Sequence, residues 1–228
     1  SRSLKGQRST RFLLTLNNSK MHYAQKEIKI GNISTSEREL KDIIKAWIAI
    51  SIAFAIALIG FESLRNLYAT FILASLTVGV GFLLHELGHK LAAQRYGCFA
   101  EFRSFDNMLV LALAMSFFGF VFAAPGAVMI SGRVNKRKNG VISAAGPIVN
   151  LFLSLAFLLL IFIPLPTFFR GVAYYGFVIN SWLALLNMIP FWLFDGRKVL
   201  VWSKTAYAII VSAAFFLTLL KNFVVLPK

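Results

Sequence analysis

Six apolar stretches fill most of this 228-residue chain beyond its N-terminal tail: Trp47 to Phe61, Leu67 to about Arg95, Met108 to Ile130, Val141 to Ile163, Val172 to Phe194 and Thr205 to Leu226. All but the first are near or above the roughly 20 residues a helix needs to cross a hydrocarbon core. The first reaches that length by borrowing polar residues from its flank. In lipid every backbone polar group must be satisfied within the protein, which leaves helices and closed barrels as spanning forms. Hydrophobic residues make up 58% of the chain, above the about 45–50% of a soluble domain. The expected fold is an all-α integral membrane bundle of about five to six apolar segments. It forms one multi-pass domain, residues 46–228, behind a polar, basic tail at 1–45.

The net charge is +15, from 24 Lys and Arg against 9 Asp and Glu. A soluble protein with this balance would suggest nucleic acid. Here the cations crowd the segments that flank apolar stretches, as the positive-inside bias requires. A bilayer is therefore the expected partner and nucleic acid is not. The composition also excludes disorder, a coiled coil and a disulfide scaffold; the single Cys98 permits no intrachain bridge. In the tail, Ser36 and Glu39 form a capping box that predicts a helix from about Glu37. Arg11 to Leu16 and Glu27 to Ile30 read as short strands around Asn17-Asn18.

Four of the nine acids lie in the tail, and Glu62, Glu101 and Asp106 lie in connections. Glu86 and Asp195 remain, both at the ends of apolar stretches. An unpaired charge is costly at such a depth, so each marks a functional candidate. Residues 85–89 read His85-Glu86-Leu87-Gly88-His89, or H-E-x-x-H. On a helix, positions i and i+4 share a face, so both imidazoles can address one metal while Glu86 sits beside them as a base. With three His and six Glu in the chain, chance gives this pattern on the order of once in a thousand. A catalytic zinc takes three protein ligands and leaves one position open. Asp195 is the best third ligand, with Gly196 allowing a tight turn; Cys98 and His22 are weaker alternatives.

These residues resemble a known family. His85-Glu86-x-x-His89, followed by Asn187-Met188-Ile189-Pro190 and then Asp195-Gly196, is similar to the signatures of the site-2 proteases, intramembrane zinc metalloproteases. Ala145-Gly146-Pro147-Ile148-Val149-Asn150 resembles a third segment of that family. The resemblance spans about residues 67–204. Arg197 departs from it, standing where many members carry another Gly. It implies one Zn2+ per chain held by His85, His89 and Asp195, with Glu86 as the catalytic base. Asn150 and Asn187 become candidate substrate or oxyanion donors. The implied activity is hydrolysis of peptide bonds within or near transmembrane segments of membrane-anchored proteins.

The site also constrains topology. With the basic tail inside, stretch one exits and stretch two returns, which puts His89 near the cytoplasmic side. The cluster Arg133, Lys136, Arg137, Lys138 is expected inside too. Stretch three must then enter and leave on one side, as a re-entrant or β element broken at Gly119, Pro125 and Gly126. Were it a plain span, Asp195 would emerge across the bilayer from His89. Pro125 to Val134 is the candidate edge strand for an extended substrate. Two other classes stay open at this point: a catalytically silent membrane scaffold, and a metal-binding transporter. A regulatory partner is also open.

Overall fold

The computed structural model describes residues 27–30, 33–59, 66–121, 125–191 and 194–224. The chain divides into two compact units, residues 1–41 and 42–228. In the first, strands β1 (Glu27–Ile30) and β2 (Ile33–Ser36) pair antiparallel, with Glu27 opposite Ser36. The expected N-cap at Ser36 is present. Ser36 Oγ accepts from the Glu39 amide at 3.1 Å, and helix α1 (Glu37–Ile59) starts there. Thr35 Oγ1 donates to the Glu39 carboxylate at 2.7 Å. The other expected strand, Arg11 to Leu16, lies outside the described residues.

The second unit is mostly helical. α2 (Leu67–Arg95) is followed by strand β3 (Phe99–Ser104), helix α3 (Asp106–Ser116) and strand β4 (Gly126–Ser131). Then come α4 (Lys136–Ile161), α5 (Thr167–Asn187), α6 (Asp195–Trp202) and α7 (Lys204–Leu220). Among the described residues, α1, α2 and α4 are long and apolar enough to cross a membrane. α5 has 21 residues, but Asn180, Ser181 and Asn187 dilute its apolar run. Each of the other expected apolar stretches carries one long helix, but that of the fifth stretch ends at Asn187 rather than Phe194, ahead of the Pro190 break, and that of the sixth ends at Leu220 rather than Leu226.

The third stretch folds back on itself. α3 stops at Ser116, and Gly119 takes a left-handed φ of 81° that ends helical continuation. The chain returns as β4, antiparallel to β3, with Gly126 opposite Ser104. The strand that precedes the stretch and the strand that closes it are thus register partners, whereas a plain span would leave them a bilayer apart. The hairpin is tied to α1: Ser104 Oγ donates to Asp42 at 3.2 Å, and Lys45 pairs with Asp106.

α2 is the backbone of the site. Its π-helical turn, Ser75–Gly79, lies one to two turns before the His pair. A π turn shifts helical phase. Its Ser75 carbonyl accepts both the Val80 amide and the Trp47 indole, the latter at 3.2 Å. α4 packs along both α2 and α5. Buried apolar clusters on either side of that contact, such as Ala144, Met188, Val199 and Ile210, fix the depth at which α6 meets α4.

Candidate metal centre

His85 and His89 are buried on one face of α2, as their i, i+4 spacing dictates. Asp195 is the first residue of α6 and is also buried. It reaches the histidines because the chain turns sharply after Pro190. Gly196 lets that turn close, since a side chain there would collide with the Met188 backbone. One ligand atom from each of the three residues lies within 4.8 Å of the other two. The two Nε2 atoms are 3.0 Å apart, and Asp195 Oδ2 is 3.4 Å from His85 Nε2 and 3.0 Å from His89 Nε2.

The other side of each imidazole fixes its tautomer. His89 Nδ1 lies 2.8 Å from the Ile142 carbonyl. A carbonyl only accepts, so Nδ1 carries the hydrogen. His85 Nδ1 lies 2.6 Å from Asn150 Oδ1. Asn150 in turn donates through Nδ2 to the Gly81 carbonyl at 3.1 Å and to Asn180 Oδ1 at 3.0 Å. Both amide hydrogens face acceptors, which leaves the oxygen toward His85. Two Nε2 lone pairs and one carboxylate oxygen therefore converge. Three acceptors at this range repel one another unless a cation joins them.

The donor set suits zinc: imidazole nitrogens and a carboxylate are its usual ligands. Tetrahedral bonds of the usual zinc length separate ligand atoms by about 3.3 Å, close to the three separations here. Glu86, half-buried between the histidines in sequence, accepts a hydrogen bond from the Val128 amide of β4 at 3.2 Å.

Asn187 ends α5 and donates to the Leu183 carbonyl of its own helix at 2.9 Å. Cys98 is not part of the cluster. It is buried with Ala93, Ala100 and Ile142. His22 lies outside the described residues. Sequence reasoning missed Asn180, the Ile142 carbonyl and the Val128 amide. Only Asn180 left a sequence signal, an amide in mid-stretch that needs a partner in an apolar setting. Main-chain groups leave none.

Over 178 residues, 77% of its length, the chain is 38% identical to a protein of the archaeon Methanocaldococcus jannaschii named "Putative zinc metalloprotease MJ0611", of which the match covers 90%. No family model matches the chain, and no solved structure matches it. Identity at this level over this length carries the His85, His89 and Asp195 geometry into a known context, and the chain belongs to the zinc metalloprotease family of that archaeal relative.

Proposed function

We propose that this protein is an intramembrane zinc endopeptidase of the site-2 protease type, which cleaves membrane-anchored proteins within or near their transmembrane segments. The carrying observation is the convergence of three acceptors, His85 and His89 on the membrane-length helix α2 and Asp195 at the start of the short helix α6. These three residues would hold the zinc. Zinc there supplies Lewis acidity, which lowers the pKa of water toward about 7 and polarises a peptide carbonyl. Glu86 takes the proton from the attacking water and returns it to the leaving amine nitrogen. The Val128 amide holds Glu86 in place for both transfers. Asn150 acts as a positioning residue for His85, since its oxygen and both amide hydrogens already have partners within the protein. Asn187 is the better oxyanion donor of the two, because only one bond from its amide goes to the Leu183 carbonyl.

In this reading α1, α2, α4, α5 and α7 cross or nearly cross the bilayer, and the α3–β4 segment is re-entrant. The site lies near the cytoplasmic side, where Arg95, Arg137, Lys198 and Lys204 are exposed. Residues 1–45 are read as extramembrane.

β4 presents the substrate. Pro125 O accepts from the Phe105 amide, so Pro125 and then Ala127, Met129 and Ser131 face β3. Gly126, Val128 and Ile130 turn their main-chain groups the other way, and the Val128 amide meets Glu86 on that edge. An extended substrate pairing with that edge would lie along the catalytic carboxylate. Ile130→Pro removes one edge amide and is expected to lower kcat/KM by about tenfold, the net effect of one hydrogen bond. Ile130→Ala keeps the amide and should stay near wild type. Equal turnover in both variants, at equal zinc content, removes the edge from the mechanism.

The test of the whole reading is cleavage of single-span substrates by the purified protein, with and without a zinc chelator. Cleavage should stop with the chelator and resume when zinc is restored. Cleavage that persists after metal has been stripped would sink the proposal.

A further inference from the structure

Asn180 sits in the middle of α5, fully buried, in a run that otherwise serves packing. Its Nδ2 donates to the Gly176 carbonyl of its own helix at 2.9 Å, which turns its Oδ1 outward to accept from Asn150 Nδ2. Asn150 belongs to α4 and touches His85 of α2. A continuous line of buried amides thus runs from α5 through α4 to a candidate metal ligand on α2. The line ends on the imidazole nitrogen remote from the metal locus. Gly81 is shaped to the same purpose. Its carbonyl takes the second Asn150 hydrogen, and a side chain at this position would meet Asn180 Oδ1 at 2.5 Å.

We infer that Asn180 is a positioning residue of the metal centre, acting on His85 through Asn150; the inference rests on the zinc reading of that centre. Two acceptors, Gly81 O and Asn180 Oδ1, pin the Asn150 amide nitrogen on the side away from His85. Asn150 must then offer its oxygen to His85, and His85 must carry its hydrogen on Nδ1. That leaves the Nε2 lone pair directed at Asp195 and His89. Without Asn180, one of the two pins is gone and the amide is free to rotate. The rotated form presents hydrogens to His85 and favours the tautomer that blocks Nε2. An Asn in a membrane helix also serves simply to bond a neighbouring helix. The two roles separate experimentally, because bonding alone affects stability and not metal affinity.

The test uses the full chain purified in detergent. Zinc affinity is measured by competition with a chromophoric chelator, and the ligand field is read from the absorption spectrum of the Co2+-loaded protein. Asn180→Leu is expected to weaken zinc binding by roughly 10–100-fold, the range for residues that orient metal ligands, and to alter the Co2+ spectrum. Asn180→Asp keeps an acceptor toward Asn150 and should restore affinity to within a few-fold of wild type. Gly81→Ala, which pushes on Asn180 from α2, should resemble Asn180→Leu. Ser181→Ala is the control: Ser181 is equally buried on the same helix, and its hydroxyl donates to the Val178 carbonyl of that helix. Wild-type affinity and an unchanged spectrum in folded Asn180→Leu or Gly81→Ala would overturn the inference while leaving the zinc reading intact. An equal loss in Ser181→Ala would overturn it as well, by showing a general packing effect. Failure of the wild-type protein to bind zinc would overturn both.

Discussion

Glu86→Gln is expected to lower turnover of a membrane-anchored substrate by about 1,000-fold or more, at the upper part of what a positioned acid–base group contributes. One zinc per chain should stay bound. Gln matches Glu in shape, and its carbonyl oxygen can still accept from the Val128 amide. The hairpin therefore keeps its hold on this position. His85, His89 and Asp195 contact one another, while the Glu86 carboxylate is bonded by the Val128 amide, so the donor set is undisturbed. What the amide cannot do is take a proton from water and pass it to an amine. Single-turnover cleavage in proteoliposomes, with zinc measured on the same samples, checks both halves. Retention of activity within tenfold would remove Glu86 from the proton transfer. Loss of zinc together with activity would make it a structural support of the site instead.

Much of this arrangement was legible in the sequence, because its signals were local or strongly periodic. The capping box at Ser36 and Glu39 stated where α1 starts, and Ser36 Oγ caps it. The i, i+4 spacing put both imidazoles on one face. The choice of Asp195 followed from the cost of an acid at the end of an apolar run, and its oxygen meets both Nε2 atoms. The folding back of stretch three followed from parity and charge, and its closing strand β4 pairs with β3, which precedes the stretch. Asn150 illustrates the limit. Its motif placed it near the site, yet its role depends on which way the amide points. That is decided by Gly81 O and Asn180 Oδ1, groups 69 and 30 residues away. The Val128 amide and the Ile142 carbonyl were beyond reach for a related reason: every residue but proline carries such groups, so only tertiary structure distinguishes these two. The partner strand of Glu27–Ile30 was missed too. Ile33–Ser36 runs straight into the helix, so nothing in its short polar sequence separates it from an N-terminal cap.

Gly146→Ala is expected to abolish metal binding, a loss beyond the roughly 10–100-fold that replacement of an orienting residue causes. Gly146 lies on α4, facing the His pair. A methyl group added there would meet His89 Nε2 at 2.5 Å, and His85 Cε1 and Nε2 at 2.6 Å. These are the ring edges that face Asp195, so the methyl would occupy the approach to the metal locus itself. The rings cannot easily give way. His85 is held through Nδ1 by Asn150, His89 through Nδ1 by the Ile142 carbonyl, and both are buried. Helix propensity predicts the opposite sign, since Ala in a helix interior is favoured over Gly by about 1 kcal/mol. The two effects are read separately, as zinc content of the purified variant and as its thermal unfolding. A variant that unfolds no earlier than wild type yet takes up no zinc locates the metal in the space beside Gly146. A variant that retains one zinc per chain at wild-type affinity would place any bound metal elsewhere, and the three converging acceptors would need another explanation.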